Sequence, residues 1–396
     1  MPATANPPRS RRRWLRVSLR GLMVLVLILG GGLGFIVHRA KVQRDAVAAI
    51  EATKANHVTR QRRWPFPQRD NKIPLPPLKG NKAAQGWFRW PDVDSLDPDY
   101  FEYPESVHLD KDATDADLAQ VGRLSSLTII ALHSKKITDA GFIHLAELNH
   151  LEDLWLYEWQ ITGEGLPQAG MTSLKYLNCH GCSISNAGLA RIGQFKKLEA
   201  LVIGHAAITD AGLAHLDGLD NLRHLGLHGN AITDAGLAPL RGLARLEDLS
   251  LARTGVTDAG VRFLATLPNL REINLSWTAV TDRGLAHLGT TGRITHLELA
   301  GTAVTDEGLR ALAGLPALEV LDLDRTAVTD EGLRTLAGFP RLRSLALSET
   351  AITDAGIAHL AVSSTLKSLF VRGTKVTAAG IDALKAARPD FEDLTR

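Results

Sequence analysis

The chain has 396 residues, of which 45% are hydrophobic and 22% are charged. These fractions are typical of a folded globular protein and exclude a disordered chain, a collagen and a polytopic membrane protein, while two cysteines are too few for a disulfide-stapled scaffold. The net charge of +2 is unevenly distributed, because residues 1–63 carry 13 Lys and Arg against two acidic residues, whereas the rest of the chain carries 32 against 41. The basic character therefore belongs to the N-terminal segment, and no nucleic-acid partner is expected.

Residues 21–37 form an apolar segment without a single charge. Its length is close to the minimum for a transmembrane helix. The preceding segment contains no acidic residue and carries Arg9, Arg11, Arg12, Arg13, Arg16 and Arg20. This asymmetry predicts a transmembrane helix at 21–37, a basic cytoplasmic tail at 1–20 and the remaining chain outside the cytoplasm. The alternative, a cleaved signal peptide, fits less well because the apolar run is too long and lacks a small-residue cleavage site, so we expect an uncleaved signal anchor.

Residues 38–80 are expected to connect the membrane to a folded domain. Their first part, 38–63, has a polar helical pattern that predicts a juxtamembrane helix. Their second part, 64–80, contains five prolines, which favour an extended spacer. Residues 81–104 are rich in aromatic side chains, and we expect them to cap the N-terminal end of the domain at 105–396. These aromatic residues are Trp87, Phe88, Trp90, Tyr100, Phe101 and Tyr103.

A short repeat fills the rest of the chain. Its marker is a Thr-Asp dipeptide or a variant of it, which recurs every 24 residues except for one interval of 23. The marker positions are Thr114, Thr138, Thr162, Ser185, Thr209, Thr233, Thr257, Thr281, Thr305, Thr329, Thr353 and Thr377. Self-similarity at so regular a period is the signature of a solenoid, in which each unit contacts only its neighbours.

The unit at residues 222–240 shows how the repeat is expected to fold. Leu225 and Leu227 alternate with polar residues, as a short strand requires. Thr233 is placed to cap a helix whose apolar positions follow at helical spacing. Asn230, a threonine in most other units, is expected to hydrogen-bond nearby backbone. We therefore predict an α/β fold, a right-handed solenoid of about twelve strand–helix units with a parallel sheet on its concave face, preceded by one transmembrane helix.

The consensus LxxLxLxxTx[IV]TDxGLxxL resembles the leucine-rich repeats of the cysteine-containing or ribonuclease-inhibitor-like subtype. The N-terminal part also resembles membrane-anchored leucine-rich repeat proteins of planctomycete-type bacteria. That second resemblance rests on residues 13–20 (RWLRVSLR), on 43–50 (QRDAVAAI), and on Asp99-Tyr100-Phe101 leading into residues 107–109. The resemblance implies a single-pass anchor, an interaction domain, and no enzymatic activity.

Cys179 and Cys182 form a CxxC pair, a spacing found in redox and zinc sites. The repeat register assigns Cys179 to an inward strand position and Cys182 to the position of Asn230. An extended strand separates the two Cα atoms by up to about 10 Å, too far for a disulfide. No second CxxC completes a zinc site. We therefore expect two structural cysteines.

Histidines fall at two kinds of position. One group repeats at a single framework position of the convex helices, too far apart to share an ion: His144, His215, His287 and His359. The second group lies on or beside the concave strands of three adjacent units: His180, His205, His224 and His228. Because no known ligand spacing is matched, we expect structural placement, no bound metal and no cofactor.

The concave face is the expected binding surface, since an extended inner sheet is what solenoids present to partners. Aromatic residues on this face favour interaction with a protein or a polysaccharide. The candidate residues are Trp155, Tyr157, Trp159, Tyr176, Asn178, His180, His205, His224, His228, Asp248, Arg253, Glu272, Asn274, Trp277, Glu298, Asp322, Asp324 and Arg325. Its acidic second half argues against nucleic acid.

No catalytic signature is present, whether GxSxG, HExxH, a phosphate-binding loop or a kinase motif. We therefore expect a membrane-anchored, non-enzymatic recognition module. Two alternatives remain open. One is a substrate-receptor adaptor similar to F-box leucine-rich repeat proteins, which would need an adaptor-binding box that 38–104 does not resemble. The other is a self-associating envelope scaffold.

Overall fold

Parallel strands, stacked in chain order, form one sheet in the computed structural model, which describes residues 41–51, 105–157, 160–167 and 169–395. Within these residues there are thirteen strands: β1 (Ser106–Leu109), β2 (Ile129–Leu132), β3 (Asp153–Leu156), β4 (Tyr176–Asn178), β5 (Ala200–Val202), β6 (His224–Gly226), β7 (Asp248–Ser250), β8 (Glu272–Asn274), β9 (His296–Glu298), β10 (Val320–Asp322), β11 (Ser344–Ala346), β12 (Ser368–Phe370) and β13 (Asp393–Thr395). The predicted parallel sheet is confirmed, and it has one strand more than the twelve marker units predict.

The segments after the strands form a layer of short helices. The α-helices are α1 (Asp115–Val121), α2 (Asn186–Ile192), α3 (Asp210–Leu213), α4 (Asp258–Leu264), α5 (Asp282–Leu288), α6 (Asp306–Leu312), α7 (Asp330–Leu336), α8 (Asp354–Ala358) and α9 (Ala378–Ala387). The 3₁₀ helices are Asp139–Leu145, Ala214–Leu216, Asp234–Gly242 and His359–Val362. Because a helix with its side chains is about 10 Å wide and strands are about 4.8 Å apart, the helical layer takes the outer, convex side.

The helix starts are built as the repeat predicts. Thr257 has an extended backbone, and its hydroxyl accepts a hydrogen bond from the amide N–H of Ala259. Equivalent caps are made at most marker positions, although Thr209 makes no such bond and Thr114 forms a reciprocal pair with Asp117. The unit that begins at Thr162 forms no helix within residues 160–167.

An Asp–Thr ladder joins successive units along the helix starts. Asp234 accepts two hydrogen bonds from Thr257 of the next unit, one from the backbone N–H at 2.9 Å and one from the hydroxyl at 2.6 Å. Asp258 accepts the same two bonds from Thr281. The marker aspartate was predicted only as a helix-start residue, so its link to the following unit is a finding of the structure.

The glycine of the DxG element, which every marker unit after the first has, follows from this ladder. A Cβ atom at Gly260 would collide with Oδ1 of Asp234, which is the acceptor for Thr257. The same collision would occur at Gly284 with Asp258. Glycine is therefore required here because a carboxylate of the preceding unit occupies the space a side chain would need.

The core lies between the two layers. Leu225, Leu227, Leu237 and Leu240 of the reference unit are at most 2% exposed. Asn230 donates from its amide to the carbonyls of Ile203 and Leu227 and accepts from the N–H of Ala206. In later units, a threonine replaces it and donates to a carbonyl three residues earlier, as at Thr254, Thr278, Thr302, Thr326, Thr350 and Thr374. The predicted local hydrogen bonding at this position is confirmed.

Residues 41–51 form a helix that packs against the first unit. Ala46 and Ile50 are fully buried and belong to the same apolar core as the repeats. The side-chain amide of Gln43 donates to the hydroxyl of Ser125 at 3.2 Å. This helix thus covers the open end of the solenoid, a role that the sequence suggested for 81–104, which lie outside the described residues.

The opposite end is closed by β13 and the loop before it. Phe391 and Leu394 are partly buried against the last unit. Arg388 donates to the carbonyl of Leu366 at 2.9 Å and pairs with the carboxylate of Asp390. In the part of the chain that the structure describes, no helix is both long and apolar enough to cross a membrane. The predicted span lies outside that part.

Candidate functional site

The surface of the sheet that faces away from the helical layer carries the candidate residues at regular positions. In β8, Ile273 points into the core, whereas Glu272 and Asn274 on either side of it are half-buried and face outward. The alternation recurs from β6 to β12. Candidates within these strands therefore lie on the predicted concave surface. Trp159 lies outside the described residues.

An aromatic patch occupies the surface near β3. Tyr157 stacks on His133 with ring centroids 4.3 Å apart, and Trp155 lies 6.4 Å from Tyr157. Trp155 and Tyr176 also line a shallow depression whose floor is formed by Leu177, Asn178, Ala200 and Val202. Burial raises the pKa of Tyr157 to about 12, so its hydroxyl is neutral and available as a hydrogen-bond donor at physiological pH.

Asp153, at the start of β3, was not among the predicted site residues. It is 5% exposed, and among the described residues its Oδ1 atom has no hydrogen-bond partner. Burial, reinforced by the nearby charge of Glu152, raises the pKa of this carboxyl to about 7, although Lys175 opposes the shift. The repeat register places Asp153 at the first strand position beside Leu154, but the register does not give the depth of its burial.

The structure brings three of the four concave histidines together. The ring centroids of His180, His205 and His228 are 5.0 to 5.8 Å apart, and Nε2 of His228 lies 3.0 Å from Nδ1 of His180. His224 is separate, since its Nδ1 atom lies 3.5 Å from the carboxylate of Asp248. We call the three clustered residues the histidine cluster.

Burial affects the pKa of two members of the histidine cluster, His180 and His228. Burial, followed by the neighbouring imidazoles, lowers the pKa of His228 to about 4. Burial and His205 also lower the pKa of His180. Both rings are therefore neutral at pH 7. Within the described residues, no three His, Cys, Asp or Glu side chains are already arranged to hold a metal ion.

The two cysteines lie in the core beneath this cluster. Cys179 and Cys182 are fully buried thiols. Cys182 lies 3.7 Å from the carbonyl of Leu156, and burial raises the pKa of Cys179 well above its ordinary value. A buried, protonated thiol is a poor nucleophile, which agrees with the predicted structural role of the CxxC pair.

A third group of candidates surrounds Trp277. This side chain is 41% exposed and lies between two guanidinium groups, with Arg253 4.9 Å and Arg325 5.6 Å from its ring. All three residues have positive φ angles and occupy the same turn position in their units. Gly301, the intervening unit's residue at that position, leaves room for the ring, since a Cβ there would lie 2.6 Å from it. We call these residues the Arg–Trp–Arg group.

Two of the acidic candidates, Glu272 and Glu298, contact polar side chains on neighbouring strands. Asn274 donates to the carboxylate of Glu298 at 2.5 Å, and Glu272 lies 3.4 Å from Nδ1 of His296. Burial raises the pKa of Asp322 to about 6, and it also raises the pKa of Asp324. Burial thus makes Asp322 and Asp324 weaker acids than free aspartic acid.

The candidates are therefore distributed among separate groups on one continuous surface. β3 and β8 are five strands apart, which corresponds to roughly 24 Å at about 4.8 Å per strand. A partner that touches both Trp155 and Trp277 must be a macromolecule. The sequence predicts that these residues share one face, and the distances between their side chains come from the structure.

The fold and the repeated side chains define a leucine-rich repeat solenoid. A family model described as a leucine-rich repeat region matches residues 106–384, and the chain belongs to this family. Among solved structures, an internalin (InlF) from Listeria monocytogenes is similar in fold, with 18% sequence identity and a TM-score of 0.51 over 73% of this chain and 86% of the internalin. An internalin C2 (InlC2) from the same organism is 24% identical, with a TM-score of 0.40 over 54% of this chain and 84% of the other. No curated protein matches the chain.

Proposed function

We propose that this protein is a membrane-anchored, non-enzymatic recognition module that binds a protein partner across the concave face of its repeats. The observation that carries the proposal is the display of Trp155, Tyr176 and Trp277 on the outer surface of one continuous sheet. Trp, Tyr and Arg are the residue types that contribute most to protein interfaces. The free energy of binding would come from burying these aromatic side chains against the partner, and polar and charged pairs would fix the position of the partner on the sheet.

The anchor belongs to the same proposal. Residues 21–37 are apolar and uncharged, and the helical residues 41–51 follow them closely in the sequence. A membrane span at 21–37 would hold the first repeat close to the bilayer surface, since this helix packs on that repeat. From the basic residues before the span, we further propose that the repeats lie outside the cytoplasm. From the sequence resemblance, we propose that the repeats are of the ribonuclease-inhibitor-like subtype and that the chain is related to planctomycete-type anchored proteins.

Site-specific photocrosslinking in the native host tests the recognition surface. A photoreactive phenylalanine analogue replaces Tyr176 or Trp277 on the sheet, or Ile143 or Val362 on the helical layer as a control. Ile143 and Val362 are 62% and 79% exposed, so the controls are at least as accessible. We expect a discrete protein adduct from the sheet positions that is absent from the controls.

The outcome separates the proposal from its alternatives. Equal adducts from both layers, or none from the sheet, would contradict recognition by the concave face. An adduct of the chain with itself from the sheet positions would favour the self-associating scaffold. A partner confined to the cytoplasm would favour the adaptor.

A further inference from the structure

The histidine cluster exists because one glycine leaves a gap in the sheet surface. Asn178, Val202 and Gly226 lie opposite one another in β4, β5 and β6, so the residues two places further on also form a row. That row is His180, Gly204 and His228, and its backbone remains hydrogen-bonded beyond the strands. With no side chain at Gly204, the two imidazoles meet above it.

The glycine is essential to this contact. A Cβ atom at Gly204 would collide with the Nε2, Cε1 and Cδ2 atoms of His228. His205, which follows Gly204, has a φ of 56° and lies over Gly229 with its ring 5.3 Å from that of His228. Three imidazoles from three successive units thus crowd one point of the concave surface.

We propose that His180 and His228 bind a divalent transition-metal ion of the Zn²⁺, Ni²⁺ or Cu²⁺ class, with His205 as the third ligand after its ring turns inward. Imidazole nitrogen is a preferred ligand of these ions. At metal–nitrogen distances of 2.0–2.1 Å, two ligands at a tetrahedral angle are about 3.3 Å apart. The 3.0 Å between Nε2 of His228 and Nδ1 of His180 is already close to that separation.

Metal binding requires an unprotonated ring nitrogen, and each neutral imidazole has one. The remaining coordination positions would be open to water or to a donor atom from a partner, because the described residues supply no complete ligand set.

The site is distinct from the other histidines of the face. His224 contacts the carboxylate of Asp248, and His296 contacts that of Glu272. Both of these contacts are with carboxylates and not with another imidazole. His224→Gln is therefore a matched control, since it removes an imidazole from the same concave region without touching the histidine cluster.

The test is a Cu²⁺ titration of the full-length protein in detergent, purified without a polyhistidine tag and followed by electron paramagnetic resonance. We expect a saturable phase, one ion per chain, with coupling to at least two nitrogens, competed by Zn²⁺. His180→Gln and His228→Gln should weaken this phase more than about tenfold, because losing even an indirect partner of a metal ligand costs about 10- to 100-fold. His224→Gln should leave it unchanged.

Gly204→Ala keeps every imidazole and provides the second arm of the test. Because its methyl group displaces the His228 ring, we expect loss of the saturable phase, while circular dichroism shows that the repeats remain folded. If His228→Gln and Gly204→Ala both bind Cu²⁺ as the native chain does, the histidine contact is only a hydrogen bond and the proposal is wrong. Neither arm depends on the identity of the protein partner.

Discussion

Asp153 is a carboxylic acid that remains protonated up to about pH 7, because its burial removes it from water and the charge of Glu152 lies nearby. Its ordinary pKa is 3.8, so the unfolded chain loses this proton at a lower pH than the folded chain. Between these two pH values, the folded state binds more protons than the unfolded state, and stability falls as pH rises. The structure thus contains a buried acid whose ionisation opposes folding.

Replacing Asp153 with Asn should make the protein more stable at pH 8 and change its stability little at pH 4. The amide stays neutral at both values, whereas the carboxylate is charged at the higher one. A shift of about three pKa units sets an upper bound of roughly 4 kcal/mol on the gain. Urea denaturation of both proteins at the two pH values measures the difference. A gain that is equal at pH 4 and pH 8 would show that ionisation of Asp153 is not its cause.

Some features of single residues can be predicted from the sequence, and others cannot. The positions of Trp155, Cys179 and Trp277 follow from the repeat register, because each takes the place of a known residue in the unit. The burial of Asp153 and the gap at Gly204 do not follow from it, since both depend on which side chains the neighbouring units contribute. The repeat register predicts the direction in which a side chain points, but not which side chains of the neighbouring units it contacts.

At the scale of the element, the marker dipeptide has two functions. Its threonine caps the helix of its own unit, and its aspartate binds the threonine of the next unit. Sequence analysis predicted the first function from the local spacing. The second could not be derived from one unit alone, because the partner is 23 residues away and its distance depends on how the units stack.

Gly260→Ala should destabilise the repeats, because the new methyl group would collide with Oδ1 of Asp234 and disturb its bonds to Thr257. We expect a loss of about 1–3 kcal/mol, the usual cost of overpacking. Gly338→Ala is the matched control, since its Cβ would meet only the Thr335 carbonyl at 3.6 Å. Thermal unfolding of both variants gives the comparison. Equal melting temperatures would refute the explanation of the DxG element.

The helix at 41–51 provides a second element-scale test. Ile50→Asp places a charge in the buried contact with the first unit, whereas Ala49→Asp places it on the exposed side of the same helix. Leaving a charge buried without a partner costs several kcal/mol, so Ile50→Asp should lower the melting temperature clearly and Ala49→Asp should not. Proteolysis near β1 should increase only in the first variant. Identical behaviour of the two would mean that the helix does not stabilise the repeats.

The whole molecule is a stack in which each unit contacts its neighbours, so its fold was predictable from one repeated motif. Thirteen strands at about 4.8 Å extend the sheet over roughly 58 Å. The ends were harder to predict, because capping segments lack the repeat. The helix at 41–51 has a polar pattern typical of a juxtamembrane helix, and its contacts with the first unit, through Ala46, Ile50 and Gln43, identify it as a cap.

We propose that a membrane anchor presents this surface outside the cytoplasm. Protease accessibility of residues 105–396 in intact cells, with and without permeabilisation of the outer layer, tests it most directly. We predict that the repeats are cleaved once the outer layer is permeable, while the inner membrane is still intact. Protection until the inner membrane is lysed would contradict the account and make a cytosolic adaptor the better explanation.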